Sequence, residues 1–348
     1  TAFLVIALLV TSLVSVPALA EEDDARVTRI AGASRYLTAV EASKEAYEKA
    51  DTVIIAAGAN ANFPDALAAS ALAGKEDAPV LLAEKDGFRA GTLEEIARLG
   101  AKKAIVLGGE KALGEEVDAA LKAAGLTVKR IAGENRYETA ALIAKEVLGT
   151  GRRVFLTSGV TPWDALAIGP VAAKEGMPVL LTETDKLRDE TKAFLVDNGI
   201  TRVTILGGTK AVSKAVADAI PVGIMVDRVA GESREETAIL IAEEYFEAPE
   251  AVVVATRDKF ADALVGGYFG GLLEAPLLLV YTNSIRDITD DYLLELVKVG
   301  EDQSALEDIY VLGGEAVVNA DVEEQLEDLG VVKSVAAIAG QVIPSKNE

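Results

Sequence analysis

Two hydrophobic periodicities alternate along the chain. Short continuous apolar runs, Thr52-Val53-Ile54-Ile55-Ala56-Ala57, Pro79-Val80-Leu81-Leu82 and Ala104-Ile105-Val106-Leu107, have the length and composition of parallel strands buried on both faces. Between them apolar positions recur every three or four residues, as in Leu93-Glu94-Glu95-Ile96-Ala97-Arg98-Leu99 before Gly100. That is the pattern of a helix buried on one side, with glycine as its stop. The same reading gives helices from Arg35 to about Lys49, from Pro64 to Ala73 with Gly74 as the stop, and from Glu115 to Ala124 before Gly125. Strands alternating with helices predict an α/β fold, a parallel sheet flanked by helices with right-handed crossovers.

The pattern occurs three times. Arg29-Ile30-Ala31-Gly32-Ala33-Ser34-Arg35-Tyr36-Leu37-Thr38-Ala39 returns as Arg130 to Ala140 and as Arg228 to Ala238, at intervals of roughly 100 residues. Phe63-Pro64-Asp65-Ala66-Leu67 returns as Pro162-Trp163-Asp164-Ala165-Leu166 and Phe260-Ala261-Asp262-Ala263-Leu264. Pro79, Pro178 and Pro276 each open an apolar strand, and Leu107-Gly108-Gly109 recurs as Leu206-Gly207-Gly208 and Leu312-Gly313-Gly314. The last interval is longer because of a polar insertion between Val299 and Asp308. Three tandem Rossmann-like units follow, over residues 27–127, 128–226 and 227–340, packed directly on one another as a pseudo-threefold body in one chain. The Arg130 and Arg228 strands are expected to complete the sheets of the preceding units. Ile338-Ala339-Gly340 is expected to complete the last.

Each motif has a local physical reading. Ser34, Asn135 and Ser233 are good N-cap residues, and Glu138 and Glu236 stand three positions later, as a capping box requires. Arg35, Arg136 and Arg234 sit at the positive end of a helix dipole, where a cation is disfavoured. An intramolecular carboxylate or an anionic ligand would compensate. Asp65, Asp164 and Asp262 favour their helix starts as ordinary dipole partners. Paired with the arginines, just beyond the carboxyl ends of parallel strands, they would instead orient guanidinium groups toward a ligand. Phe63 and Trp163, with Phe260 in the third copy, are either core plugs or faces for sugar stacking. The third copy departs from the pattern: Glu235 replaces the tyrosine, and Asp258 and Lys259 alter the following loop. The glycine pair of Leu-Gly-Gly lacks the spacing of a dinucleotide fingerprint and reads as a tight turn. No cofactor is expected.

Composition narrows the chemistry. The 348 residues are 50% hydrophobic, enough for several cores, and include neither Cys nor His. Disulfides, thiolate or imidazole metal sites and histidine triads are thereby excluded, and no metal site or catalytic residue is assigned. A net charge of −22 argues against nucleic acid as a partner. Residues 1–20 carry no charge and end in Ala18-Leu19-Ala20. They read as a secretory signal cleaved after Ala20 rather than a retained anchor, leaving no membrane span in the mature chain.

The four motifs, repeated in order three times over Val27 to Gly340, resemble the cell wall binding repeat 2 family. The resemblance implies a secreted protein of the cell wall or surface layer; enzymatic activity is not expected. It would be held non-covalently to a cell-wall polysaccharide, usually an anionic secondary polymer. The residues that would carry binding are Arg35, Asp65, Arg136, Asp164, Arg234 and Asp262, with Phe63 and Trp163. The alternative is a structural surface-layer subunit whose repeats contact other surface-layer proteins. A wall hydrolase is the more remote reading, since no further paired carboxylates accompany the repeated aspartates.

Overall fold

A computed structural model describes residues 26–60, 63–298 and 306–329. Residues 1–20, the insertion at 299–305 and the strand expected at 338–340 lie outside the described residues. Three four-stranded parallel sheets form the frame. The first holds, in spatial order, Val80–Ala83 (β3), Thr52–Ala57 (β2), Lys103–Leu107 (β4) and Thr127–Ile131 (β5). The second holds Val179–Thr182 (β7), Arg153–Ser158 (β6), Arg202–Leu206 (β8) and Met225–Val229 (β9). The third holds Leu277–Val280 (β11), Ala251–Thr256 (β10), Asp308–Leu312 (β12) and, at its edge, Arg26–Ile30 (β1). β2 and β10 are buried at every position, as expected for strands covered on both faces.

The helices are α1 (Arg35–Ala46), α2 (Phe63–Leu67), α3 (Ala69–Glu76), α4 (Thr92–Leu99), α5 (Glu115–Ala123), α6 (Arg136–Val147), α7 (Trp163–Glu175), α8 (Asp189–Asp197), α9 (Lys214–Asp218), α10 (Arg234–Tyr245), α11 (Ala263–Leu272), α12 (Asp287–Lys298) and α13 (Ala320–Asp328). Among the described residues none is long and apolar enough to cross a membrane.

The edge place beside β12, expected for residues 338–340, is taken by the first strand. Ile30 pairs with Leu312 as Ile131 pairs with Leu107 and Val229 with Leu206. The three units therefore close into a ring, and every unit borrows its edge strand from a repeat motif. The strands at Arg130 and Arg228 complete the preceding sheets, as the sequence suggests.

Small residues bring α3, α7 and α11 together at the centre of the ring. Ser70, Gly169 and Gly267 hold equivalent positions and meet one another. A β-carbon on Gly169 would lie 2.7 Å from the Cα of Gly267, inside any tolerable carbon–carbon distance. Glycine inside a helix costs about 0.5–1 kcal/mol, and the close approach of the helices is what that cost permits. The same contact corrects the expected stop at Gly74. That glycine lies inside α3, where a side chain would collide with the Ala173 carbonyl, and the helix ends at Asp77 in left-handed conformation (φ 47°).

Candidate functional site

Ring closure decides where the repeat motif lies. β1 belongs to the third sheet, yet α1 packs on β3 of the first. β5 belongs to the first sheet while α6 packs on β7, and β9 belongs to the second while α10 packs on β11. Each motif thus starts in one unit and ends in the next. Its loop crosses a boundary at the carboxyl ends of the strands, the place where open α/β sheets receive ligands.

Two of these boundaries hold clefts of the same construction. The first, about 750 Å³, lies between repeats one and two and is lined by Asp65, the Gly109–Ala112 turn, Arg130, the loop at 132–135, Arg136 and Thr139. The second, about 600 Å³, lies between repeats three and one. It is lined by Gly32 to Tyr36, Asn60, Asp258 to Asp262, Gly314, Ala316 and Val317. Arg35 therefore shares a cleft with Asp262, not with Asp65. Asp65 faces Arg136, and Asp164 lies in the field of Arg234. The partners come from adjacent repeats.

None of the three arginines forms an ion pair among the described residues. Nη1 of Arg136 donates to the Gly159 carbonyl at 2.6 Å, Nη1 of Arg35 to Gly58 at 2.8 Å and to Asn60, and Nη1 of Arg234 to the Arg257 carbonyl at 3.1 Å. Strand-end carbonyls, not carboxylates, offset the unfavourable helix dipole. The other guanidinium nitrogens of Arg35, Arg136 and Arg234 have no hydrogen-bond partner among the described residues.

Capping differs among the copies. Oδ1 of Asn135 accepts from the amides of Tyr137 and Glu138, and Oγ of Ser233 accepts from Glu236, while the Ser34 side chain makes no cap bond. Glu138 and Glu236 do not close the expected box. They accept from the amides of Glu134 and Glu232, one residue before the cap.

Asp65 is nearly buried (9% exposed), and its Oδ1 lacks a hydrogen-bond partner. Burial pushes its carboxyl up to about 6, opposed by Arg136. Asp164 is also raised by burial, against Arg234 and a backbone hydrogen bond. The Leu-Gly-Gly turn makes room for these side chains. Gly108 has φ +100°, and a β-carbon there would stand 2.5 Å from Asp65 Oδ2. Gly207 holds the same relation to Asp164.

The aromatic residues gather at the ring centre. Phe260 meets Phe63 edge-on at 5.2 Å and Trp163 at 5.8 Å. Phe63 is 7% exposed and engaged by its neighbours, with Arg136 5.9 Å from its ring centroid. Arg234 lies closer over Trp163, at 4.0 Å. Burial holds the Arg234 guanidinium below its usual range, reinforced by Arg257.

Sequence reasoning missed two arginine sets. Arg29, Arg130 and Arg228 lead the motif, and each donates to the carbonyl of the first turn glycine, Gly313, Gly108 or Gly207. Their recurrence in all three copies was the signal. Arg89 and Arg188 stack on Tyr36 and Tyr137 and pair with Glu84 and Glu183. In the third copy tyrosine and glutamate exchange places, as Glu235 and Tyr281. Arg257 takes the position of Gly58 and Gly159. Glu235, fully buried, is paired with Arg257 and lies 3.6 Å from Arg286. The extra carboxylate is thus held by these two arginines and forms no ion pair with Arg234.

The cell wall binding domain 2 (CWB2) family model matches residues 29–118, 130–217 and 228–323, once in each unit of the ring. The chain belongs to the CWB2 family. Among curated relatives, N-acetylmuramoyl-L-alanine amidase LytC of Bacillus subtilis (strain 168) is 32% identical over 256 residues, covering 74% of this chain and 50% of the relative. The amidase enhancer of the same strain is 32% identical over 308 residues, covering 88% and 41%. Two solved structures are similar in fold: Cwp6 from Clostridium difficile, with TM-score 0.78, 27% identity and coverage of 89% and 48%, and Cwp8 from the same organism, with 0.76, 28%, 88% and 52%. The chain spans about half the length, or less, of each of these proteins.

Proposed function

We propose that this CWB2 chain attaches non-covalently to an anionic polysaccharide of the cell wall through its inter-repeat clefts, and that it acts at the cell surface as a secreted binding module. The observation that carries the reading is the pair of equivalent clefts, each holding an arginine with unused donors. Arg136 and Arg35 contact the polymer's negative groups. Asp65 and Asp262 line the same clefts, and Phe63, Trp163 and Phe260 hold the helix starts that carry the aspartates. Arg234, stacked on Trp163, and Asp164 form the third member of the set. With a net charge of −22, the protein as a whole repels a polyanion at long range, so attraction comes from these local guanidinium groups. Two or three weak sites on one polymer raise the overall avidity well above that of one.

Co-sedimentation with purified walls, before and after removal of the secondary polymer, tests the reading. Binding should be lost on stripping. Undiminished binding to stripped walls would contradict the polymer as ligand.

A further inference from the structure

Asp65 is an unusual occupant of an anion cleft. It places a carboxylate, nine-tenths buried and with one oxygen unpartnered, beside the arginine that the proposed function assigns to the ligand. The other charged groups lining this cleft are Arg130 from β5, Glu110 and Lys111 from the turn after β4, and Glu134 from the loop before α6. Arg130 is committed to Asp118 and to the Gly108 and Leu113 carbonyls. Arg136 is the cation whose field opposes the effect of burial on Asp65.

We infer that the cleft between repeats one and two takes up its anion together with a proton, carried by Asp65. This rests on the cleft reading above. An anion on Arg136 cancels the one influence that favours ionised Asp65 and adds a like charge beside it. Both changes favour the neutral acid. Linkage then requires the converse: protonating Asp65 tightens the hold on the anion. Because burial already sets the free carboxyl near 6, the coupling falls between about pH 5.5 and 7.5. Affinity rises as pH falls through that window. In cleft two no carboxylate oxygen is both fully buried and unpartnered among the described residues, so the two clefts respond differently to acid.

An oligogalacturonide is a suitable probe, because its own carboxylates stay ionised throughout the window. Its affinity is measured from pH 5.5 to 7.5 on the full chain carrying Arg35→Ala and Arg234→Ala, which isolates cleft one. Proton uptake is read by titration calorimetry in two buffers of different ionisation enthalpy. The expected result is a roughly five-fold tightening toward pH 5.5 with net proton uptake, and a flat profile without uptake when Asp65→Asn is added. Parallel profiles with and without Asp65→Asn would overturn the inference while leaving the cleft reading intact, provided Arg136→Ala weakens binding. No loss of binding on Arg136→Ala, or no binding at any pH, would overturn both.

Discussion

Ile30 is the in-register partner of Leu312 in a parallel sheet. Residues of the first repeat thus complete the third, and the ring holds together through strands exchanged between neighbours. Ile30 is 4% exposed. Ile30→Ala should cost about 2–5 kcal/mol, and the loss should appear in the third sheet. Hydrogen exchange at Val311 and Leu312 should accelerate more than at Val106 and Leu107, the equivalent positions of the first sheet. Equal acceleration at both would show that β1 is not specifically part of sheet three.

The third repeat rewires a contact that the first two share. There a tyrosine ring packs over glycine, Tyr36 on Gly58 and Tyr137 on Gly159. In the third, buried Glu235 pairs with half-buried Arg257 at the same two positions. Glu235→Ala alone should destabilise by roughly 1–3 kcal/mol, because it leaves the half-buried Arg257 guanidinium without its carboxylate. Glu235→Tyr combined with Arg257→Gly should recover most of that loss by restoring the tyrosine–glycine contact of the other copies. Denaturant unfolding of Glu235→Tyr, Arg257→Gly and the double variant measures the coupling. Additive effects would show that the exchange is not a unit.

Asp65 should trade stability for its place in the cleft. Its folded carboxyl titrates near 6, above its value of about 3.9 in an unfolded chain. Between these values the folded state binds more protons, so the residue's contribution to stability worsens as pH rises. The cost is complete above about 6 and absent below about 4. Asp65→Asn should therefore stabilise the protein at pH 7.5 by on the order of 2 kcal/mol, and by little at pH 4. Thermal melts of both proteins at the two pH values check the sign. A variant less stable than the parent at pH 7.5 would contradict it.

Much of the frame could be read from the residues because its causes are local. Apolar runs marked β2 and β4 to within a residue, and Gly100 and Gly125 stopped their helices as expected, each with positive φ. The misreadings have tertiary causes. Gly74 resembles a helix stop, but its missing side chain is required by the Ala173 carbonyl of another repeat. β1 fills a place that a tandem reading assigns to residues at the other end of the chain. The repeated arginines and aspartates were visible as candidates, yet their partners were not. A motif that begins in one sheet and ends on the next brings Arg136 to Asp65, and this exchange is encoded by ring closure rather than by spacing along the chain. The roles of Arg29, Arg130 and Arg228 were likewise hidden, because they cap a turn reached only through strand pairing.

The most direct test of the account is wall binding by the variant carrying both Arg35→Ala and Arg136→Ala, with its fold verified by thermal melting. Co-sedimentation with intact walls at low salt should fall by tenfold or more relative to the parent, since each open cleft loses its charge-assisted donor. Wall binding equal to that of the parent, by a folded double variant, would contradict the clefts as the attachment site.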